Sequence, residues 1–105
     1  MTTPYIQDSE LNTLVSKSGI IVADFTAAWC GPCKLVAPVI DRLQEDYVDK
    51  AQVFKVDIDE NQENTKKYGI RSIPCVLVFK DGEVVERLLG KHDYNVYSEA
   101  IDKHL

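Results

Sequence analysis

Apolar residues fall along this chain in blocks that alternate between two periods. After a short apolar start at Tyr5 and Ile6, residues Leu11, Leu14 and Val15 recur at helical spacing, with Asp8 or Ser9 available as an N-cap and Gly19 as a terminator. Residues 20–25, "IIVADF", form an apolar run with a single charge, Asp24, the pattern of a strand covered on both faces. From Cys30 onward, Val36, Val39, Ile40, Leu43 and Tyr47 mark an amphipathic helix interrupted by Pro38. "AQVFKVDID" then reads as a second strand, so that strand, helix and strand make a parallel unit with a right-handed crossover. A short helix through Lys66 and Tyr68 ends at Gly69. "CVLVFK" and "EVVERLL" are strands joined by Asp81-Gly82, a two-residue turn suited to an antiparallel hairpin. Asp93 can cap a last helix that turns Tyr97, Ala100 and Ile101 inward. The alternation predicts an α/β fold, a mixed sheet with helices on both faces. With 105 residues and no linker, repeat or low-complexity tract, residues 1–105 are expected to form one domain.

Composition removes several function classes. Twelve basic against seventeen acidic residues give a net charge of −5, which argues against nucleic acid or an anionic membrane surface as the main partner. The start, "MTTPYIQDSEL", lacks the layout of a secretory signal, and no run approaches a membrane span. A soluble protein of a reducing compartment is expected, the cytoplasm or an equivalent such as a plastid stroma. Three cysteines are too few for a disulfide scaffold, so their purpose is chemical or steric.

Two of the three stand in "WCGPCK", residues 29–34. Cys30 falls where the chain leaves the carboxyl end of a buried strand and enters a helix, beside unpaired N–H groups and the positive end of the helix dipole, where thiolate is favoured over thiol. The two-residue spacing brings Cys33 within bonding range on the first helical turn, and Pro32 fits there because its missing donor is not needed. So local a cross-link removes little chain entropy and is poorly rewarded as a staple. Asp24, on the strand just upstream, is costly to bury unless neutral or paired, and burial should raise its pKa.

"VADF" followed by "WCGPCK", with "IRSIPCVLVFKDGE" downstream, resembles the thioredoxin family over nearly the whole chain and in matching order. The resemblance implies a thioredoxin fold with a central five-stranded mixed sheet flanked by four helices. It also implies a protein-disulfide reductase that needs no cofactor or metal of its own, acts as a monomer and serves as an electron donor in redox homeostasis. The implied partners are disulfide-containing proteins and a thioredoxin reductase, NADPH- or ferredoxin-dependent.

By the same resemblance, Cys30 is the exposed nucleophile and Cys33 the buried resolving thiol. Asp24, with Lys55 on the neighbouring strand, exchanges the proton that activates Cys33; a purely structural, hydrogen-bonded acid is the alternative. Trp29, Gly31 and Pro32 border the dithiol, Trp29 either as a packed aromatic or as a partner contact. The Ile73-Pro74 bond is implied to be cis, although about 5% of X-Pro bonds are so in general, and its backbone would offer an edge for substrate together with Gly90. Three positions depart from the family pattern. Thr26 stands where Trp or Phe is usual, and Lys91-His92-Asp93 replaces small apolar residues after Gly90. Cys75 replaces a common threonine, either as packing or as a third sulfur within a few ångströms of the reacting pair. Lys91 and Cys75 are therefore added to the substrate-binding set. Three alternatives are weighed: a metal site built from Cys30, Cys33, Cys75 and either His92 or His104, which has only one cysteine pair at ligand spacing, a non-catalytic accessory subunit, and an oxidase or isomerase, against which Gly-Pro between the cysteines resembles the reductant branch.

Overall fold

The computed structural model describes residues 2–105, with elements in the order α1 (Asp8–Val15), β1 (Ile20–Thr26), α2 (Gly31–Asp46), β2 (Gln52–Asp57), α3 (Gln62–Lys67), β3 (Cys75–Lys80), β4 (Glu83–Leu89) and α4 (Tyr94–Asp102). The strands lie side by side as β2-β1-β3-β4, with β1 parallel to β2 and antiparallel to β3. Every residue of β1 is buried, as its unbroken apolar run requires of a strand with a partner on each side and helices on both faces. Its alternate side chains feed two cores. Ile20 and Val22 join Val36, Ile40 and Leu43 of α2 and Tyr97 and Ile101 of α4. Ile21, Ala23 and Phe25 join Leu11 and Val15 of α1, and Ile70, on the other face. By the two-residue period of the strand, Asp24 shares the α2/α4 face with Ile20 and Val22.

The sheet has four strands rather than the expected five. The segment that would supply the fifth makes a single parallel bridge, Tyr5 to Lys55. Ile6 N–H donates to the Lys55 carbonyl and Lys55 N–H to the Pro4 carbonyl, both at 2.9 Å. Pro4 has no N–H with which to extend the ladder. On its far side, Thr3 donates from its N–H (2.8 Å) and its hydroxyl (2.6 Å) to Asp41 on α2, and α1 begins at Asp8. The chain leaves the sheet at both ends before a strand can form.

The N-terminal cap also differs from expectation. Gln7, not Asp8 or Ser9, caps α1, and its N–H donates to Glu10 Oε1 at 3.1 Å. Asp8 instead caps α3 across the fold: its carboxylate accepts from the N–H groups of Glu63 and Asn64, each at 3.2 Å. Asn61, just before α3, returns the bond by accepting from Asp8 N–H at 2.7 Å. The two helix starts satisfy each other's orphan donors. Gly19 lies beyond the end of α1 rather than at it. It is tied to the β3–β4 turn through Gly19 N–H to Asp81 Oδ1 (2.8 Å) and Asp81 N–H to Gly19 O (3.0 Å). That turn has positive φ at both Asp81 (51°) and Gly82 (92°), the twist a tight hairpin needs. A Cβ on Gly82 would stand 3.1 Å from the Val15 carbonyl, so α1 packs against the turn itself. α2 runs unbroken through Pro38, which lies on the exposed side of the helix, so its missing donor is not lost from the core.

The Asp8 cap gives a direct test. Asp8→Ala should cost about 0.5–2 kcal/mol of stability, the usual range for a lost cap, read as a lower urea midpoint at unchanged m-value. An unchanged midpoint would mean that water replaces the carboxylate without loss.

Candidate active site

Cys30 occupies the N-cap of α2, with extended φ/ψ (−89°, 110°), directly after β1 and the turn at residues 27–29. Cys30 Sγ accepts the Cys33 N–H at 3.2 Å, one of the orphan donors at the helix start. The two cysteines are joined as a disulfide with their Cα atoms 5.3 Å apart. Both are buried, Cys30 at 4% exposure and Cys33 at 3%, so the expected contrast of an exposed and a buried thiol is not present in this oxidised state. The reason is local: Cys30 Sγ turns toward Cys33 and lies 3.9 Å from the Ile73 carbonyl oxygen. What separates the two sulfurs is the helix cap, which belongs to Cys30.

Around the pair, Gly31 and Pro32 are exposed, and Trp29 is 67% exposed, held on one side by its indole Nε1–H donating to Asp59 Oδ2 at 2.9 Å. Trp29 is therefore not a packed core aromatic. Opposite, the Ile73-Pro74 bond is cis. Gly90, at φ 81°, donates its N–H to the Pro74 carbonyl at 2.8 Å, while its own carbonyl accepts from the hydroxyl of Tyr97 at 3.3 Å. Tyr97, a fully buried residue of α4, thereby fixes the loop that carries the exposed Lys91. Sequence reading took Tyr97 only as a core side chain and missed Asp59; a phenol on a buried helix face, whose hydroxyl must find an acceptor, was the available signal.

Asp24 is fully buried, and its Oδ1 has no hydrogen-bond partner among the described residues. It faces Lys55 across the β1–β2 register. Desolvation raises its pKa from 3.8 to about 7, the Lys55 charge pulling the other way and Asp41 adding to the rise. The reading of Asp24 as a hydrogen-bonded structural acid loses its basis at that oxygen.

Of the two readings of Cys75, its buried position fits packing. Its side chain is fully buried among Phe25, Leu77 and Phe79 on the α1/α3 face, whereas Cys30 and Cys33 cluster with Ala27. Alternation decides this: Cys75 opens β3 on the same face as Leu77 and Phe79. Burial raises its thiol pKa, with the Arg87 guanidinium opposing. Its side chain presents no surface to a substrate. The four-ligand metal set is not assembled either. Among the described residues no group of three or more His, Cys, Asp or Glu side chains converges, and His104 Nε2 lies 2.8 Å from Glu86 Oε2.

The family model for thioredoxin matches residues 2–103. The chain belongs to the thioredoxin family. It is 49% identical over 90 residues to thioredoxin of Bacillus subtilis, covering 86% of each chain. It is 44% identical over 100 residues to thioredoxin of Staphylococcus epidermidis, covering 95% of each. A solved structure of a mutant thioredoxin from Halobacterium salinarum superposes with a TM-score of 0.88 at 38% identity, covering 98% of this chain and 90% of that one. Family membership and the Cys30–Cys33 disulfide make the protein a thiol-disulfide oxidoreductase, a protein-disulfide reductase whose partners are a thioredoxin reductase and disulfide substrates.

The buried acid predicts a pH signature. Folded Asp24 holds its proton up to about pH 7 and the unfolded residue only to 3.8, so between those values the native state binds more protons. Stability therefore falls as pH rises through that window. Asp24→Asn should relieve most of this, gaining on the order of 4 kcal/mol at pH 8 and little at pH 4. Urea unfolding at both pH values measures it; an equal gain at both would mean that Asp24 is not held protonated by the fold.

Proposed function

We propose that Cys30 is the attacking thiol and Cys33 the resolving one. The observation that carries this reading is the Cys33 N–H bonded to Cys30 Sγ at the start of α2, a donor that favours a thiolate on Cys30 over one on Cys33. Cys30 thiolate attacks one sulfur of a substrate disulfide, and the other sulfur leaves with the electron pair and takes a proton. Cys33 then loses its proton to Asp24 and attacks Cys30 Sγ, releasing the second substrate thiol and closing the Cys30–Cys33 disulfide. A carboxylate with a pKa of about 7 is suited to this transfer at neutral pH, and Lys55 across the strand pair favours its charged form afterwards. The reductase returns two electrons to the pair.

In this reading, substrate lies extended along Ile73, Pro74 and Gly90, between Trp29, Gly31 and Pro32 on one side and Lys91 on the other. The Gly90–Pro74 bond and the Tyr97 hydroxyl give that edge a fixed shape, and main-chain pairing to it explains a broad substrate range. The chain acts as one domain and as a monomer, in a reducing compartment such as the cytoplasm. Among the described residues no helix is long and apolar enough to cross a membrane. The donor is a flavoprotein reductase drawing on NADPH or a reductase drawing on ferredoxin; turnover assays with each class assign it.

Insulin reduction tests the division of labour. Cys30→Ser should abolish turnover, and Cys33→Ser should accumulate mixed disulfides on Cys30; adducts on Cys33 in the Cys30→Ser protein at comparable rate would reverse the roles. Asp24→Asn should slow turnover at pH 7 by about 10- to 100-fold, at or below the usual span for a positioned proton acceptor. Lys91→Ala should weaken reduction of an acidic protein substrate and leave a small uncharged disulfide unchanged, the difference shrinking in salt.

A further inference from the structure

The last carbonyl of β4 has no strand to bond, and a side chain serves it instead. Leu89 ends β4 and faces Cys75 across the β3–β4 register, while the bond that closes the ladder runs one residue further on, from Gly90 N–H to the Pro74 carbonyl. Cys75 and Leu89 are therefore a non-hydrogen-bonded pair, whose own backbone groups point away from each other. β4 is the outermost strand, so the Leu89 carbonyl points to a free edge. His92 turns back to it, with Nε2 2.6 Å from the oxygen. A carbonyl oxygen only accepts, so His92 Nε2 carries the hydrogen.

The imidazole is itself held. It is half-buried and meets the Tyr97 ring edge to face, with centroids 5.8 Å apart and planes at 77°. Tyr97 in turn donates its hydroxyl to the Gly90 carbonyl. Three successive backbone groups are thus engaged from three directions: Leu89 C=O by His92, Gly90 N–H by Pro74 and Gly90 C=O by Tyr97. Gly90 needs this, because at φ 81° it sits where glycine moves most freely and nothing in the residue itself restricts it. A small apolar side chain at position 92, the usual family pattern, has no donor for the Leu89 carbonyl.

We propose that His92 is a positioning residue for protein substrates: by holding the Leu89 carbonyl it fixes the Gly90–Lys91 segment in the shape that pairs with an extended peptide. The proposal rests on the reading of Ile73, Pro74 and Gly90 as the substrate edge. An edge that is already ordered loses less freedom when a peptide settles on it, and binding is tighter by that difference. The hydrogen bonds of Cys30 Sγ go to Cys33 and Ile73, so His92 acts on binding and leaves the chemical step to the residues at the sulfurs.

The test follows oxidation of the pre-reduced protein by excess disulfide in a single turnover, which needs no reductase and yields a saturating rate and a half-saturation concentration. An extended peptide disulfide is compared with 2-hydroxyethyl disulfide, which has no main chain to pair. His92→Phe keeps a ring against Tyr97 and removes the donor, whereas His92→Gln keeps a donor and removes the ring. His92→Phe should raise half-saturation for the peptide about fivefold, within the worth of one hydrogen bond. Its saturating rate, and its reaction with the small disulfide, should change by less than about twofold. His92→Gln should bring the peptide back to within about twofold of the unmodified protein. Solvent exchange of the Gly90 N–H should quicken in His92→Phe and not in His92→Gln. A peptide half-saturation unmoved by His92→Phe, a His92→Gln protein equally impaired, or a loss confined to the saturating rate would overturn the proposal. Peptides N-methylated at one amide at a time separate it from the reading beneath it. If every one of them binds the unmodified protein as its parent does, the substrate edge itself is wrong; if some bind more weakly and His92→Phe has no effect, only the role of His92 is.

Discussion

A strand buried on both faces makes the rest of this structure possible. Because β1 has a partner strand on each side and a helix layer above and below, its backbone is held as firmly as any in the fold. The turn that leaves it carries Cys30 to the N-cap of α2. There the sulfur replaces the hydroxyl or carboxylate that usually caps a helix, accepting the Cys33 N–H at 3.2 Å. A capping interaction that elsewhere serves only stability here biases the charge on a reacting atom.

The same burial carries a cost, and the cost is located at Asp24. A carboxylate buried in the middle of β1 has no hydrogen-bond partner at Oδ1 within the described protein, and desolvation keeps its proton to about pH 7. Stability is lower above that pH than an apolar residue would allow, and proton exchange becomes possible in the range where the protein works. Lys55, facing Asp24 across the register, limits the shift without abolishing it. If Asp24 takes the proton of Cys33 as proposed, stability and reactivity are set against each other at one residue.

The proposed substrate edge is built from three pieces of chain. Pro74 precedes β3, Gly90 follows β4, and Tyr97 lies on α4; a backbone bond of 2.8 Å and a phenol bond of 3.3 Å hold them together. The first of these links joins residues far apart in sequence, and the second ties the loop to a helix. α1 and α3 show the same principle at the other end, where Asp8 and Asn61 cap one another's helices.

Much of this was legible in the order of residues. The unbroken apolar run of β1, the helical spacing after Cys30, the Asp81-Gly82 turn and the paired cysteines each follow from local stereochemistry and periodicity. Those act between near neighbours, and a sequence displays near neighbours. What required the fold were contacts between segments far apart. Pro4, with no N–H to give, and Thr3, drawn to Asp41, reduced an expected fifth strand to one bridge. Strand alternation turned Cys75 into the α1/α3 core with Leu77 and Phe79. The disulfide drew Cys30 under the Ile73 carbonyl, so that exposure does not separate it from Cys33. The meeting of Asp24 and Lys55 arises only where β1 and β2 pair in this register. Sequence periodicity decides which face a side chain takes, but only packing decides what it meets there.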